Sequence, residues 1–459
     1  MIRSSMHRSD LSKEKLTACI FTAVLLLSFI ALYPAYRSNR NAMQEEHPYT
    51  ETTIDWEALY PFAKEPSTPQ TGAVSDTEPA GVSLWQKLDA IGTGWAEKVQ
   101  SIEQRFTTLS EEGMPFRYRL SELFCRYENI LGIQRVDSSD GPVLIKDDGW
   151  MAYQYAYAND ENNEVIVQKL KGFQDQLSEK DIDYLYVLAP SKSADEDEDG
   201  MSYGYEDHTI TNIWQLSYLL NTYGVNNLNL QEYFQDQDFS YDENFFKTDH
   251  HWTPEAALKG AERTAEMLNE SYGFDIDLSL YDREKYISTV YPSFFLGSQG
   301  KKTTLGYGAP EDFELLIPSF DTRFHVSIAN LVMDQTGPFD TALIDQSQLK
   351  ALSYPWCYYQ GNAYAAYGYS DRPEICIHNE NVKDGKKILI LKDSFGDAMV
   401  PYLSSGVSDI HELDLRLFTG SVQAYIDEYQ PDLVMHVICG GSQNPYSSYE
   451  EHKNLMDVR

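Results

Sequence analysis

The chain has 459 residues, enough for a membrane anchor, a polar stalk and one large or two medium globular units. Apolar residues make up 42% and charged residues 23%, an ordinary globular composition that excludes disorder over the whole length. Lys and Arg number 36 against 71 Asp and Glu, a net charge of −35 with no basic patch, which excludes nucleic acid as a partner.

Residues 1–15 form a short tail carrying Arg3, Arg8, Lys13 and Lys15. Residues 16–36, LTACIFTAVLLLSFIALYPAY, hold no formal charge. As a helix they span about 30 Å, the thickness of a bilayer's hydrocarbon core. The basic flank keeps the tail cytoplasmic, and no small-x-small pair ends the run as a signal-peptidase site requires. The expectation is a single-pass membrane protein whose remainder lies outside the cytoplasm. Residues 37–81, with Pro48, Pro61, Pro66, Pro69 and Pro79 among Ser, Thr, Glu and Gly, read as a flexible stalk. Helical spacing returns over 82–136, with Leu84, Trp85, Leu88 and Ile91, then Leu120, Leu123, Phe124 and Ile130. This predicts a helical extension packed on a main domain at 137–459.

Within that domain Pro142 to Ile145 reads as a short strand, Val165 to Leu177 as a helix, and Asp183 to Pro190 as a buried strand. Lys387 to Lys392 and Leu433 to Cys439 are short β-rich runs bounded by polar or glycine turns. Such runs are expected of parallel strands covered on both faces, which makes the fold class α/β with a central parallel sheet. The five cysteines, at 19, 125, 357, 376 and 439, include no C-x-x-C pair and no zinc spacing, so sparse buried thiols are expected.

Two segments carry chemistry. In the first, Thr253 can cap a helix that starts at Pro254, with Ala256, Ala257, Gly260, Ala261 and Leu268 on its packed side. His250 and His251 therefore sit just before a helix N-terminus, whose partial positive charge disfavours imidazolium. In extended chain, Asp249 and His251 point to the same side, so the acid can orient the imidazole. In the second segment, Ser394 follows the strand ILIL in a turn before a helix, a place where α/β folds expose nucleophiles. Serine needs a base and a group that holds the base's tautomer, roles open to His251 and Asp249. The backbone N–H groups of Phe395 and Gly396 are natural oxyanion donors. Taken singly, each piece is bland: serine after a strand often caps a helix, and Asp-x-His often packs.

Taken together and in this order, TDHHWT, ILILKDSFGDA, HELDLR and PDLVMHVI resemble the DHHW family of SGNH-hydrolase-like proteins, similar to the alginate O-acetyltransferases AlgJ and AlgX. Fainter similarity at KDDGWMAY, YVLAPSK and FFLGSQGKKT extends the resemblance over roughly residues 95–440. It implies a three-layer α/β/α SGNH-like domain with Asp249, His251 and Ser394 as a catalytic triad. It also places Arg416 near the active site as a substrate contact. The implied activity is O-acetylation of an exported or cell-surface polysaccharide without a cofactor, often with a multi-span membrane acyltransferase as acetyl donor. A carbohydrate acetylesterase would use the same triad.

Trp252 is open to two roles, packing or stacking on a sugar. Asp195, Asp197, Asp199 and Glu206 match a calcium-loop pattern, but no helix ends before Asp195 and Ser202 takes the usual apolar position, so a solvated acidic loop is expected. Two rivals remain: a metal-dependent phosphoesterase built on Asp-His-His, and a non-catalytic cell-surface glycan-binding or scaffold protein.

Overall fold

The computed structural model describes residues 117–138, 141–157, 160–193, 205, 207–237, 241–350 and 357–439. The membrane segment 16–36, the stalk 37–81, the helical stretch around Leu84 and the acidic loop Asp195–Asp199 with Glu206 lie outside the described residues. Among the described residues, no helix is long and apolar enough to cross a membrane.

The elements that position the site are, in chain order, α1 (Arg117–Ile130), β1 (Arg135–Val136), β2 (Val143–Ile145), β3 (Met151–Tyr153), α2 (Asp160–Ser178), β4 (Asp183–Ala189), α3 (Thr209–Tyr223), β5 (Asn227–Asn229) and α4 (Pro254–Tyr272). They continue with β6 (Tyr286–Phe295), α5 (Ser298–Thr303), β7 (Glu311–Pro318), β8 (Phe324–Ile328), β9 (Met333–Gly337), β10 (Glu374–Asn379), β11 (Lys387–Lys392), α6 (Gly396–Leu403), β12 (Asp409–Asp414), α7 (Val422–Tyr429) and β13 (Leu433–Cys439).

Among the described residues, eight strands form the main sheet in the order β5-β4-β13-β11-β12-β10-β8-β9. The first five are mutually parallel, and β10, β8 and β9 add an antiparallel flank. The expected central parallel sheet is present in these five strands, but the antiparallel flank makes the whole sheet mixed. The flank escapes a search for apolar runs because its strands alternate, as in Phe324, Val326 and Ile328 buried with His325 exposed. The Val143–Ile145 strand also stands outside the main sheet, in a separate three-stranded antiparallel sheet with β1 and β3.

Strand periodicity sorts the core into two layers. Ile388 and Ile390 of β11, with Leu185, Val187 and Ala189 of β4, face α4 and α6. Leu389 and Leu391, with Tyr184, Tyr186 and Leu188, face α2, α3 and α7. Helices thus cover both faces, giving three layers. α4 starts and stops as its residues dictate. The Thr253 hydroxyl accepts from Ala256 N at 3.2 Å, Pro254 stands in the first turn, and Gly273 closes the helix at φ 64°.

α1 does not pack as its apolar spacing suggests. Leu123, Phe124 and Ile130 are exposed, whereas Cys125 and Glu122 are buried. Tyr359 OH donates to Glu122 Oε1 at 2.8 Å, and Asn129 Nδ2 donates to the Gly306 carbonyl at 3.0 Å. A Cβ on Gly306 would lie 2.6 Å from Cys125 Cβ, so the glycine lets the two backbones meet.

Candidate active site

β11 ends at Lys392, and a tight turn built on Asp393 leads into α6. One Asp393 carboxylate oxygen accepts from Phe395 N at 2.9 Å and the other from Cys439 N at 2.8 Å, which ties the turn to the end of β13. Gly396 N donates to the Asp393 carbonyl at 3.1 Å, and Asp397 N to the Ser394 carbonyl at 3.2 Å. The amides of Phe395 and Gly396 are therefore spent inside the turn, which corrects their expected role as oxyanion donors. Among the described residues, the free amide of this turn is that of Ser394. Gly396 has a packing role: a Cβ there would lie 2.5 Å from Lys392 Cδ, on the side chain that runs beneath the turn to Asp397.

The Asp-His-His segment precedes α4 as a compact loop, closed by Phe246 N donating to the His251 carbonyl at 3.2 Å. Two side chains of opposite charge type clamp it, Lys192 buried and Glu311 half-buried. Lys192 Nζ donates to the carbonyls of Phe246 at 2.6 Å, Lys247 at 2.9 Å and Asp249 at 3.0 Å. Glu311 accepts from Lys247 N and Thr248 N at 2.7 Å each, and from the Thr248 hydroxyl. Burial lowers the Lys192 pKa to about 7 and raises that of Glu311.

Within the loop, Asp249 Oδ1 accepts from His251 N at 3.0 Å and lies 2.6 Å from His251 Nδ1. The two side chains meet through this carboxylate-to-backbone turn and not through strand pleating. The other carboxylate oxygen accepts from Ser298 N at 2.6 Å. Burial by itself would raise the Asp249 pKa, but the neighbouring imidazoles and the Ser298 amide hold it well below the usual range. On the far side of the imidazole, His251 Nε2 lies 2.7 Å from Ser394 Oγ. Asp249, His251 and Ser394 thus form one hydrogen-bonded row, joining two segments 143 residues apart at the C-terminal ends of the parallel strands. The acid keeps the proton on Nδ1, so Nε2 presents a lone pair to the serine hydroxyl.

His250 Nδ1 pairs with the Ser298 hydroxyl at 2.8 Å, and partial desolvation beside the His251 ring lowers its pKa, which keeps it neutral. Among the described residues, Asp249, His250 and His251 are the one group whose ligand atoms could converge on a metal. Their hydrogen bonds point elsewhere: both Asp249 oxygens take protein donors, and His251 Nε2 faces Ser394.

Arg416 lies two residues past β12, as Ser394 lies two past β11, and Lys392 pairs with Asp414 across the two strands. Its guanidinium is held by Asp414, at 3.0 and 2.6 Å, and by Asp371. Trp252 has no exposed surface and lies against Phe234 and Phe395, so a sugar platform is excluded in favour of packing. Cys125 and Cys439 are buried free thiols, as expected, whereas the free thiol Cys376 is only half-buried.

Four residues of this site had no assigned role from sequence. Lys192 and Ser298 stand in YVLAPSK and FFLGSQGKKT, segments that carried only the resemblance. Glu311 and Tyr364 had no local signal. The ring of Tyr364 lies parallel to His251, with centroids 4.0 Å apart at 13°. Gly297 is required by close approach, since a Cβ there would lie 2.2 Å from Asp249 Cβ and 2.5 Å from the Thr248 carbonyl. Gly297→Ala must displace Asp249 and is expected to slow turnover at least about 100-fold at near-normal KM, as checked by steady-state kinetics with an acetyl ester.

A family model described as SGNH hydrolase-like domain, acetyltransferase AlgX, matches residues 143–285, including Asp249 and His251. Comparison with curated proteins returns no match. Among solved structures, PatB1 of Bacillus cereus, solved with a sulfonyl adduct, is 21% identical at a TM-score of 0.52, covering 65% of this chain and 96% of its own. A DHHW family protein of Eubacterium siraeum is 20% identical at a TM-score of 0.50, covering 70% of this chain and 97% of its own. The chain is similar to acetyltransferases of the SGNH-hydrolase-like type and shares the fold of a DHHW family protein.

Proposed function

We propose that this protein is an extracytoplasmic O-acetyltransferase, anchored by residues 16–36, that acetylates a cell-surface or exported polysaccharide through an acetyl-serine on Ser394. The observation that carries the reading is the Asp249–His251–Ser394 row, with its 2.6 and 2.7 Å links. The similarity to the AlgX acetyltransferase domain supports acetyl as the group moved. Ser394 Oγ attacks the acetyl carbonyl while His251 Nε2 takes its proton, then gives that proton to the departing oxygen as the donor's ester bond breaks. In the second half, His251 takes the proton of a sugar hydroxyl, whose oxygen attacks the acetyl-serine and releases Ser394, reprotonated by His251. The Ser394 N–H is the turn amide left free to stabilise the oxyanion in both halves. A multi-span membrane acyltransferase is the natural donor for an anchored enzyme, and no soluble cofactor is needed.

Full-length protein in detergent, incubated with p-nitrophenyl acetate and digested for peptide mass mapping, should carry acetyl on the peptide containing Ser394. An acetyl group found only on other residues, or none under turnover, would sink the reading and favour a scaffold role. Acetate release that added oligosaccharides neither accelerate nor divert to sugar ester would mark an acetylesterase.

A further inference from the structure

Tyr364 opens a single 3-10 turn, Tyr364–Ala366, outside both segments of the site and 30 residues before Ser394, yet it touches both. Its ring is 2% exposed and stacks on His251 with centroids 4.0 Å apart at 13°. Its hydroxyl donates to the Ser394 carbonyl at 3.0 Å. Phe246 meets the ring edge-on at 6.4 Å and 88°, closing it in from the Asp-His-His loop. The turn is itself anchored. Ala363, Ala365 and Ala366 around the ring are buried, and Asp345 N donates to the Ala366 carbonyl at 2.7 Å. Gly368, at φ 55°, lies so close to α6 that a Cβ would stand 3.1 Å from the Asp397 carbonyl. The tyrosine is thus fastened to the helix that Ser394 introduces.

The imidazole must lie in one plane to hold Asp249 on Nδ1 and Ser394 on Nε2 together, and rotation about its Cβ–Cγ bond breaks both links. It meets the ring of Tyr364 at 4.0 Å and 13°, and that of His250 at 3.8 Å and 38°. His250 is tilted and a third exposed, whereas Tyr364 is parallel and enclosed.

We propose that Tyr364 is a positioning residue which couples base to nucleophile, its ring setting the plane of His251 and its hydroxyl fixing the backbone of Ser394. The inference rests on the reading of Ser394 and His251 as nucleophile and base. When His251 takes the serine proton, the imidazolium forms against the electron-rich face of the tyrosine ring, so the contact is stronger in the charged state than in the resting one.

The test compares full-length wild type, Tyr364→Phe, Tyr364→Leu and Ser394→Ala in the p-nitrophenyl acetate burst, with rates normalised to burst amplitude so that only correctly folded sites are counted. Tyr364→Leu, which loses ring and hydroxyl, should acylate on the order of 100-fold more slowly with KM within about twofold of wild type. Tyr364→Phe, which keeps the ring, should recover most of that loss and remain up to about 10-fold slow. Wild-type normalised rates in both variants would overturn the inference, as would a lower burst amplitude at unchanged rate constant. Equal losses in both would overturn the role of the ring. Should Tyr364→Leu not fold, a wild-type rate in Tyr364→Phe still overturns the role of the hydroxyl. A wild type without a Ser394-dependent burst removes the underlying assignment, an outcome distinct from all of these.

Discussion

Asp249→Asn is expected to lower the rate of acetyl-serine formation by about four orders of magnitude. Asp249 accepts on every side: one oxygen serves His251 N and Nδ1, and the other serves Ser298 N. An amide cannot do the same. If its NH2 faces His251, Nδ1 must accept and the ring proton moves to Nε2, where it points at Ser394 and leaves no base. If its NH2 faces Ser298, two donors meet across what was a 2.6 Å hydrogen bond and the loop is pushed away. Both routes lower kcat and leave the apolar core untouched. The check is single-turnover acylation, with thermal melting as the control for folding. A loss under about tenfold would separate Asp249 from catalysis and leave it a purely structural acid.

Lys192→Met should cost about 2–4 kcal/mol of stability and most of the activity. The ammonium is buried beside the ring of Trp150, 4.1 Å from its centroid, and satisfies three carbonyls of the Asp-His-His loop. Methionine fills a similar volume but leaves those carbonyls without a donor. Urea unfolding gives the stability, and a midpoint equal to wild type would show that water or Gln299 replaces the lysine.

The pH dependence has a definite sign. Burial lowers the folded-state pKa to about 7 from an ordinary 10.5, so between these values the unfolded chain holds a proton that the folded chain has released. The titration-linked part of its contribution is complete above about pH 10.5, shrinks as pH falls and is gone below about 7, while the hydrogen bonds of the ammonium to the three carbonyls persist there. Lys192→Met removes that slope. Its deficit against wild type should widen from pH 7 toward 10, and a constant deficit across that range would show that Lys192 stays charged.

The strands Asp183–Ala189, Lys387–Lys392 and Leu433–Cys439 were legible in sequence because each is covered on both faces, and a strand so covered must be apolar throughout. α4 was legible because its cap, first-turn proline and closing glycine are all local. The antiparallel flank was not, since half of each strand faces solvent and its alternation over five or six residues hardly differs from loop. In α1, apolar spacing announces a helix but does not say which side is covered, and the covered side turned out to be Glu122 and Cys125.

The same division runs through the site. The sequence by itself determined that Asp249 and His251 stand together just before a helix, and that Ser394 follows a buried strand, because both statements concern one stretch of backbone and its neighbours. Only the tertiary structure decided that His251 Nε2 meets Ser394 Oγ, that Lys192 and Glu311 clamp the loop, and that Tyr364 lies on the imidazole. It also withdrew Trp252 to the core and turned the amides of Phe395 and Gly396 back on Asp393. Apart from that local turn, these contacts join residues tens to hundreds of positions apart, and their geometry is set by how sheet and helices close around the core, which no local periodicity encodes.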